Sequence, residues 1–213
     1  MTASREYFRP DSSTPVRVVV LASGTGSLLQ SLIAAAVDDY PARIVAVGVD
    51  RDCDAALHAR AAGIADFRVG LREYPDRAAW DRALTEAVAA HTPDLIVSAG
   101  FMKILGPEFM GRFGGRIINT HPALLPSFPG AHAVPDALAY GVKVTGSTVH
   151  LVDSGVDTGP VLAQEPVAVL DDDDESTLHE RIKTVERRLL VEVLAAVATR
   201  GVISDGRKAV IPK

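Results

Sequence analysis

A continuous apolar run, VRVVVLA from Val16, passes through the glycine-bearing SGTGS straight into the apolar helical pattern SLLQSLIAAAV. A strand apolar almost throughout, broken here only by Arg17 near its start, must be covered on both faces, which is the mark of a parallel sheet held between helical layers. The alternation then repeats. RIVAVGVD reads as a second strand, CDAALHARAAG as a helix closed by Gly63, DFRVG as a short third strand, and YPDRAAWDRALTEAVAAH as a longer amphipathic helix. DLIVSAG and GRIINT complete the parallel set. Right-handed crossovers between such strands predict an α/β fold, a doubly wound, mostly parallel sheet with helices on both faces, whose ligands sit outside the carboxyl ends of the strands. The loops SGTGS, AGFMKIL and NTHPALLP all fall at that end.

The pattern changes after the helix-like AHAVPDALAYG. KVTGSTVHLVD and GPVLAQEPVAV are two extended runs joined by a short glycine-bearing loop, which predicts a C-terminal antiparallel strand pair. STLHERIKTVERRLLVEVLAAVATR then reads as a long helix with Leu178, Ile182, Val185, Leu189 and Leu190 along one side. The acidic run at 171–175 precedes that helix, where it supplies an N-cap and favourable first-turn charge rather than a cation site. MTASREYFRPDSSTP is polar, carries both signs of charge and lacks an apolar stretch, so it is neither a secretory signal nor a membrane span. A flexible tail over 1–14 followed by a single domain over 15–213 is the expectation.

Composition narrows the partners. A net charge of −5 without a basic stripe argues against nucleic acid, and 5% aromatic residues offer little surface for stacking bases. Cys53 is the single cysteine, so there is neither a disulfide framework nor a cysteine-rich metal site, in keeping with a reducing cytoplasm. Small-molecule substrates are expected, with no membrane and no nucleic acid, and a homodimer is compatible with the chain.

Strand, glycine turn and helix together leave unpaired N–H groups at Gly24, Thr25, Gly26 and Ser27 facing an anion, and the helix dipole favours a phosphate there. A tight turn without ligand is the alternative. The dinucleotide version of such a loop needs a third glycine where Leu29 stands, and the P-loop lysine signature is absent. Asp50, at the end of the second strand, occupies the place of a ribose-binding acid in a dinucleotide fold.

Asn119 and His121 sit two apart at the end of the strand-like GGRIINTH, so their side chains share one face. An isolated N-x-H more often satisfies a strand end. Here Pro122, Pro126 and Pro129 follow within eight residues, a stiff loop at the place where α/β proteins build sites. Asp157, in the loop DSGVDTGP, can return over the same strand end to orient and charge the imidazole. Carboxamide, imidazole and carboxylate together suit transfer of an acyl group to an amine. His58, His91 and His179 read as helix-surface residues and His150 as an ordinary strand residue, while His132 stays open.

SGTGS, AGFMKIL, INTHPALLPSFPGAHAVPDAL, GSTVHLVDSGVDTGP and the later TVE together resemble the folate-dependent formyltransferases that act on glycinamide ribonucleotide in purine biosynthesis. The resemblance implies a Rossmann-like formyltransferase fold. It also implies 10-formyltetrahydrofolate as co-substrate, giving formylglycinamide ribonucleotide and tetrahydrofolate, with no metal required. Asn119, His121 and Asp157 match the family's catalytic trio. Gly24, Thr25, Gly26, Ser27 and Leu28 match its substrate-phosphate loop, and Glu186 an acid that holds the glycinamide end. Met102, Lys103, Ile104 and Leu105 match the pterin segment beside Asn119, with Arg77 a contact to the folate's acidic tail. The chain departs from the family at Thr25 and Leu28, where asparagine is common, and at Lys103, where arginine is common; these changes spare backbone contacts. Read from the residues alone, FMKIL could also be strand-end core, although its position beside the site favours a ligand, and Glu186 equally fits a surface acid. Formyl transfer to another amine such as an amino-sugar nucleotide, or a non-catalytic folate- or nucleotide-binding regulator, are the alternative functions. A formyltransferase acting on methionyl-tRNA would ordinarily add a C-terminal domain, and a formyl-folate hydrolase an N-terminal one.

Overall fold

The computed structural model describes residues 5–11 and 13–213. In chain order the elements are Arg5–Phe8 (β1), Val16–Ala22 (β2), Ser27–Ala35 (α1), Ala42–Val49 (β3), Asp54–Ala61 (α2), Ala65–Arg68 (β4), Arg77–Ala89 (α3) and Leu95–Ser98 (β5). They continue with Pro107–Phe113 (α4), Ile117–His121 (β6), Ala133–Tyr140 (α5), Val144–Leu151 (β7), Val161–Ala168 (β8), Glu175–Arg200 (α6), Val202–Ser204 (β9) and Ala209–Val210 (β10).

Seven strands form one sheet in the order β4-β3-β2-β5-β6-β7-β8. Pairing is parallel from β4 through β6, and β7 and β8 then add antiparallel, as the change of pattern after residue 141 predicts. Successive residues of β2 feed opposite sides of the sheet. Val18, Val20 and Ala22 pack with Leu28, Leu29 and Leu32 of α1 and with Leu190, Leu194 and Val197 of α6. Val19 and Leu21 pack with Trp80 and Leu84 of α3 and with Phe109 and Phe113 of α4. Strand order reverses between β2 and β5, so the loops after these two strands flank the switch point at which α/β sheets open a crevice.

Asp174 is the N-cap of α6: its carboxylate accepts from Thr177 N–H, and Thr177 Oγ1 returns a bond to Asp174 N–H. Asp171 and Asp173 of the same acidic run pair with Lys143 and Arg181. Among the described residues no helix is long and apolar enough to cross a membrane.

The expected tail over 1–14 needs correction. Residues 5–8 form β1, which pairs antiparallel with β9, and β10 closes the other side of β9. Phe8 is buried in the core beneath α6 and supplies the anchor that the polar composition of the segment conceals. Residues 1–4 and 12 lie outside the described residues. Two- to four-residue strands leave no periodicity to read, which is why this small sheet escapes sequence analysis.

Candidate active site

One cavity of about 580 Å³ opens along the carboxyl ends of β2, β5 and β6. The glycine loop from Gly24 to Leu28, the segment Met102–Leu105, Asn119, His121, Asp157 and Glu186 all line it. Of the residues singled out from the sequence, Arg77 is absent from the wall. Its guanidinium donates to the carbonyl of Ile104 and lies over the Trp80 ring, so it braces the segment from behind.

The strand geometry places each group. Ile117, Asn119 and His121 point to the α3–α4 side of β6, and Ile118 and Thr120 to the α6 side. His150 of β7 stands directly opposite Asn119, with its Nε2 3.1 Å from Asn119 Nδ2. The loop after β7 then brings the carboxylate of Asp157 to both rings: Oδ2 lies 3.3 Å from His121 Nδ1, and Oδ1 3.6 Å from His150 Nε2. Asp157 adopts left-handed backbone (φ 55°), which aspartate tolerates better than most residues, and Gly130 N–H donates to its Oδ2 at 2.7 Å. Thr148 fixes the proline-rich loop, donating to the Ala123 carbonyl at 2.6 Å and accepting from Leu125 N–H at 3.1 Å.

His121 Nε2 lies 2.7 Å from the Phe128 carbonyl oxygen. A carbonyl and a carboxylate both only accept, so the doubly protonated ring satisfies both neighbours. Burial opposes that charge and outweighs the Asp157 carboxylate and the Phe128 carbonyl, holding the ring's pKa below its ordinary value. Sequence reasoning expects Asp157 to raise this pKa; the depth of the site reverses the direction. For Asp157, burial pushes the pKa up, but the hydrogen bonds from His150 and Gly130 N–H and the nearby His121 prevail and keep the carboxyl below its usual range.

On the α6 side, Glu186 is 4% exposed, and burial pushes its pKa up to about 7 despite a hydrogen bond with Thr120. It is a buried acid, so the surface alternative fails. His179 and Lys183 line the cavity from the same helix face, since residues four and seven apart stack on one side. Gly26 is the N-cap of α1 in left-handed backbone (φ 73°), with no side-chain cap, so the first amides of the helix keep no side-chain acceptor. A Cβ at Gly26 would meet Ala55 Cα at 2.9 Å. Leu28 is buried in the core and Thr25 offers its carbonyl to His58 Nε2 at 3.1 Å, so both departures from the family pattern spare the loop's backbone.

The segment 102–105 is exposed at Met102 (65%) and Ile104 (60%), while Leu105 packs inward beside α3 and α4. Met102 N–H donates to Ser23 Oγ at 2.8 Å, and Asp81 Oδ1 accepts from Gly106 N–H at 3.0 Å. Strand-end core alone would not leave two large apolar side chains on a cavity wall.

Sequence reasoning missed His150, His179 and Lys183. His150 alternates with the buried Val149 and Leu151, a period-two signal that places it on the face of Asn119. His179, Lys183 and Glu186 share a helical spacing that marks one stripe. His132 is exposed outside the cavity wall, and His91 stacks on Phe67 at 5.4 Å. Among the described residues no group of three or more histidine, cysteine or acidic side chains could hold a metal.

The formyl transferase family matches residues 16–194. A phosphoribosylglycinamide formyltransferase of Mycobacterium tuberculosis is 67% identical over 205 residues, covering 96% of this chain and 95% of that protein. The crystal structure of glycinamide ribonucleotide transformylase 1 from Symbiobacterium toebii superposes with a TM-score of 0.91 at 38% identity, over 93% of this chain and 95% of that one. A formyltetrahydrofolate deformylase from Pseudomonas syringae superposes with a TM-score of 0.88 at 27% identity, over 95% of this chain and 68% of its own.

Proposed function

The chain belongs to the formyl transferase family, and on that footing we propose that it moves the formyl group of 10-formyltetrahydrofolate to the amino group of glycinamide ribonucleotide. Products are formylglycinamide ribonucleotide and tetrahydrofolate, a step of purine biosynthesis. The observation that carries the site assignment is that one cavity wraps the end of β6, with Asn119, His121 and Asp157 on one side and Thr120 with Glu186 on the other. The nucleotide's phosphate takes the free amides of Gly26–Leu28, and its glycinamide end reaches Glu186. The pterin lies against the main chain of 102–105 on the opposite side. The two reactants meet at the strand tip.

The amine nitrogen attacks the formyl carbon, a new C–N bond forms, and negative charge builds on the formyl oxygen. Asn119 Nδ2–H and a proton on His121 are the donors placed for that oxygen. Burial keeps the ring short of full protonation in the resting enzyme, whereas the developing oxyanion and Asp157 favour the charged form, so its proton is held for the transition state. The bond to the folate nitrogen then breaks. The proton lost by the amine passes to that nitrogen through a water that Asp157 and His121 orient. Residues 15–213, with β1 joined to them through β9, act as one formyltransferase domain working on small molecules in the cytoplasm.

An absorbance assay with 10-formyl-dideazafolate and a panel of acceptors tests the assignment. Turnover confined to glycinamide ribonucleotide is expected; equal turnover with amino-sugar nucleotides, or with water alone, overturns it.

A further inference from the structure

Asp50 follows the last residue of β3 and is 7% exposed, yet it does not line the cavity. Lys103 Nζ lies 2.6 Å from its Oδ2 and Arg51 Nη2 3.0 Å from the same oxygen. Ser23 donates its hydroxyl to this carboxylate, and its Oγ in turn accepts the Met102 N–H. One buried carboxylate therefore ties together the ends of three adjacent strands: β3 through Asp50 itself, β2 through Ser23, and β5 through Met102 and Lys103. With its oxygens so engaged, the acid is not free for a ribose, the role that its place at a strand end suggests from sequence. Burial alone would push its pKa up, but Arg51, Lys103 and Ser23 bring it down to about 2, so it stays charged.

The far end of the segment has separate supports. Arg77 binds the Ile104 carbonyl and Asp81 takes the Gly106 N–H. The near end depends on Asp50 and Ser23. Lys103 lines the cavity with its stem while its charge turns back to Asp50, where a compact ammonium suits a single buried carboxylate oxygen.

We propose that Asp50 is a positioning residue for the formyl donor: it holds Lys103 directly and Met102 through Ser23, and so fixes the main-chain path from 102 to 105 that meets the pterin. This rests on the reading of 102–105 as the folate segment. Removing one member of a buried ion pair leaves the other uncompensated, so the near end shifts, while the glycine loop, which adjoins this network only through Ser23 directly after β2, and Glu186, which contacts none of it, keep their geometry.

Steady-state kinetics on the whole protein separate the possibilities. Asp50→Asn is expected to raise the KM for 10-formyl-dideazafolate about tenfold, with kcat and the KM for glycinamide ribonucleotide within about twofold. Lys103→Met should act in the same direction, and Asp50→Asn with Lys103→Met should add little to either alone, because both remove one interaction. A merely structural acid would lower Tm and leave the ratio of the two KM values unchanged; that result, or an unchanged donor KM, overturns the proposal. Should Asp50→Asn fail to fold, Lys103→Met and Ser23→Ala carry the same comparison. Hydrogen exchange on the unaltered protein with bound 10-formyl-dideazafolate tests the underlying reading. Slowed amides over 103–105 uphold it, and if the donor KM of Asp50→Asn is then unchanged, only the positioning role falls. Unprotected amides there overturn both.

Discussion

Asp157 Oδ2 stands 3.3 Å from His121 Nδ1, although the two residues belong to different elements with α5 and β7 between them. The pair is buried, so replacing the carboxylate removes both the ring's orientation and the charge that offsets burial. Asp157→Asn should lower kcat by about 10² to 10³ and shift the alkaline limb of the kcat profile to lower pH, since the ring then gives up its proton more readily. An unshifted limb in a pH series would contradict the coupling.

Asn119→Ala and His121→Ala each remove one donor from the formyl oxygen. Loss of about 10² to 10³ in kcat is expected for either, with the KM for glycinamide ribonucleotide little changed. Near-normal turnover in both would remove them from the chemistry.

His150 bridges the site, touching Asn119 Nδ2 at 3.1 Å and Asp157 Oδ1 at 3.6 Å, while its Nδ1 lies 2.9 Å from the Leu151 carbonyl. His150→Ala should reduce kcat about tenfold by letting the carboxamide and carboxylate drift. If His150→Gln restores most of that loss, the ring acts by hydrogen bonding rather than by titration.

Glu186 ionises at about 7 in the folded chain against about 4.5 when unfolded. Between those values the folded state binds the extra proton, so its contribution to stability is full below about pH 4.5 and is lost as pH rises through about 7. Glu186→Gln should therefore be more stable than the parent at pH 8, by on the order of 3 kcal/mol at most, and no more stable at pH 4.5. The same variant should bind glycinamide ribonucleotide more weakly. Urea denaturation at the two pH values checks the sign, and an advantage at pH 4.5 alone would reverse it.

Gly26→Ala forces a side chain into left-handed backbone and against Ala55 Cα. The strain is about 1–2 kcal/mol before any clash is counted. Thermal unfolding should show that loss, and the KM for the nucleotide should rise while the donor KM stays put.

How much of this was legible beforehand follows from physics at particular residues. The mostly parallel sheet is legible because β2, β3 and β5 are largely apolar and are separated by helical periodicity, whereas the order of its strands is set by packing that no single segment encodes. Asn119 and His121 were readable because a two-residue spacing in a strand fixes a shared face. Asp157 required the loop motif, since no local period links it to β6. The burial of Glu186 and the lowered pKa of His121 were not legible: both depend on how deeply α6 and the 152–160 loop seat against the sheet, which is a sum over many distant contacts. The β1 strand was hidden because Phe8 is a lone apolar residue among polar neighbours.

The cavity's two halves, divided by the tip of β6, behave as antechambers with a common doorway. Saturating one need not shut the other, and inhibitors filling opposite halves should not compete. A molecule with both halves covalently joined gains the effective concentration of its own tether, so its affinity should exceed that of either fragment by orders of magnitude provided the link is short enough to turn the corner of a single strand.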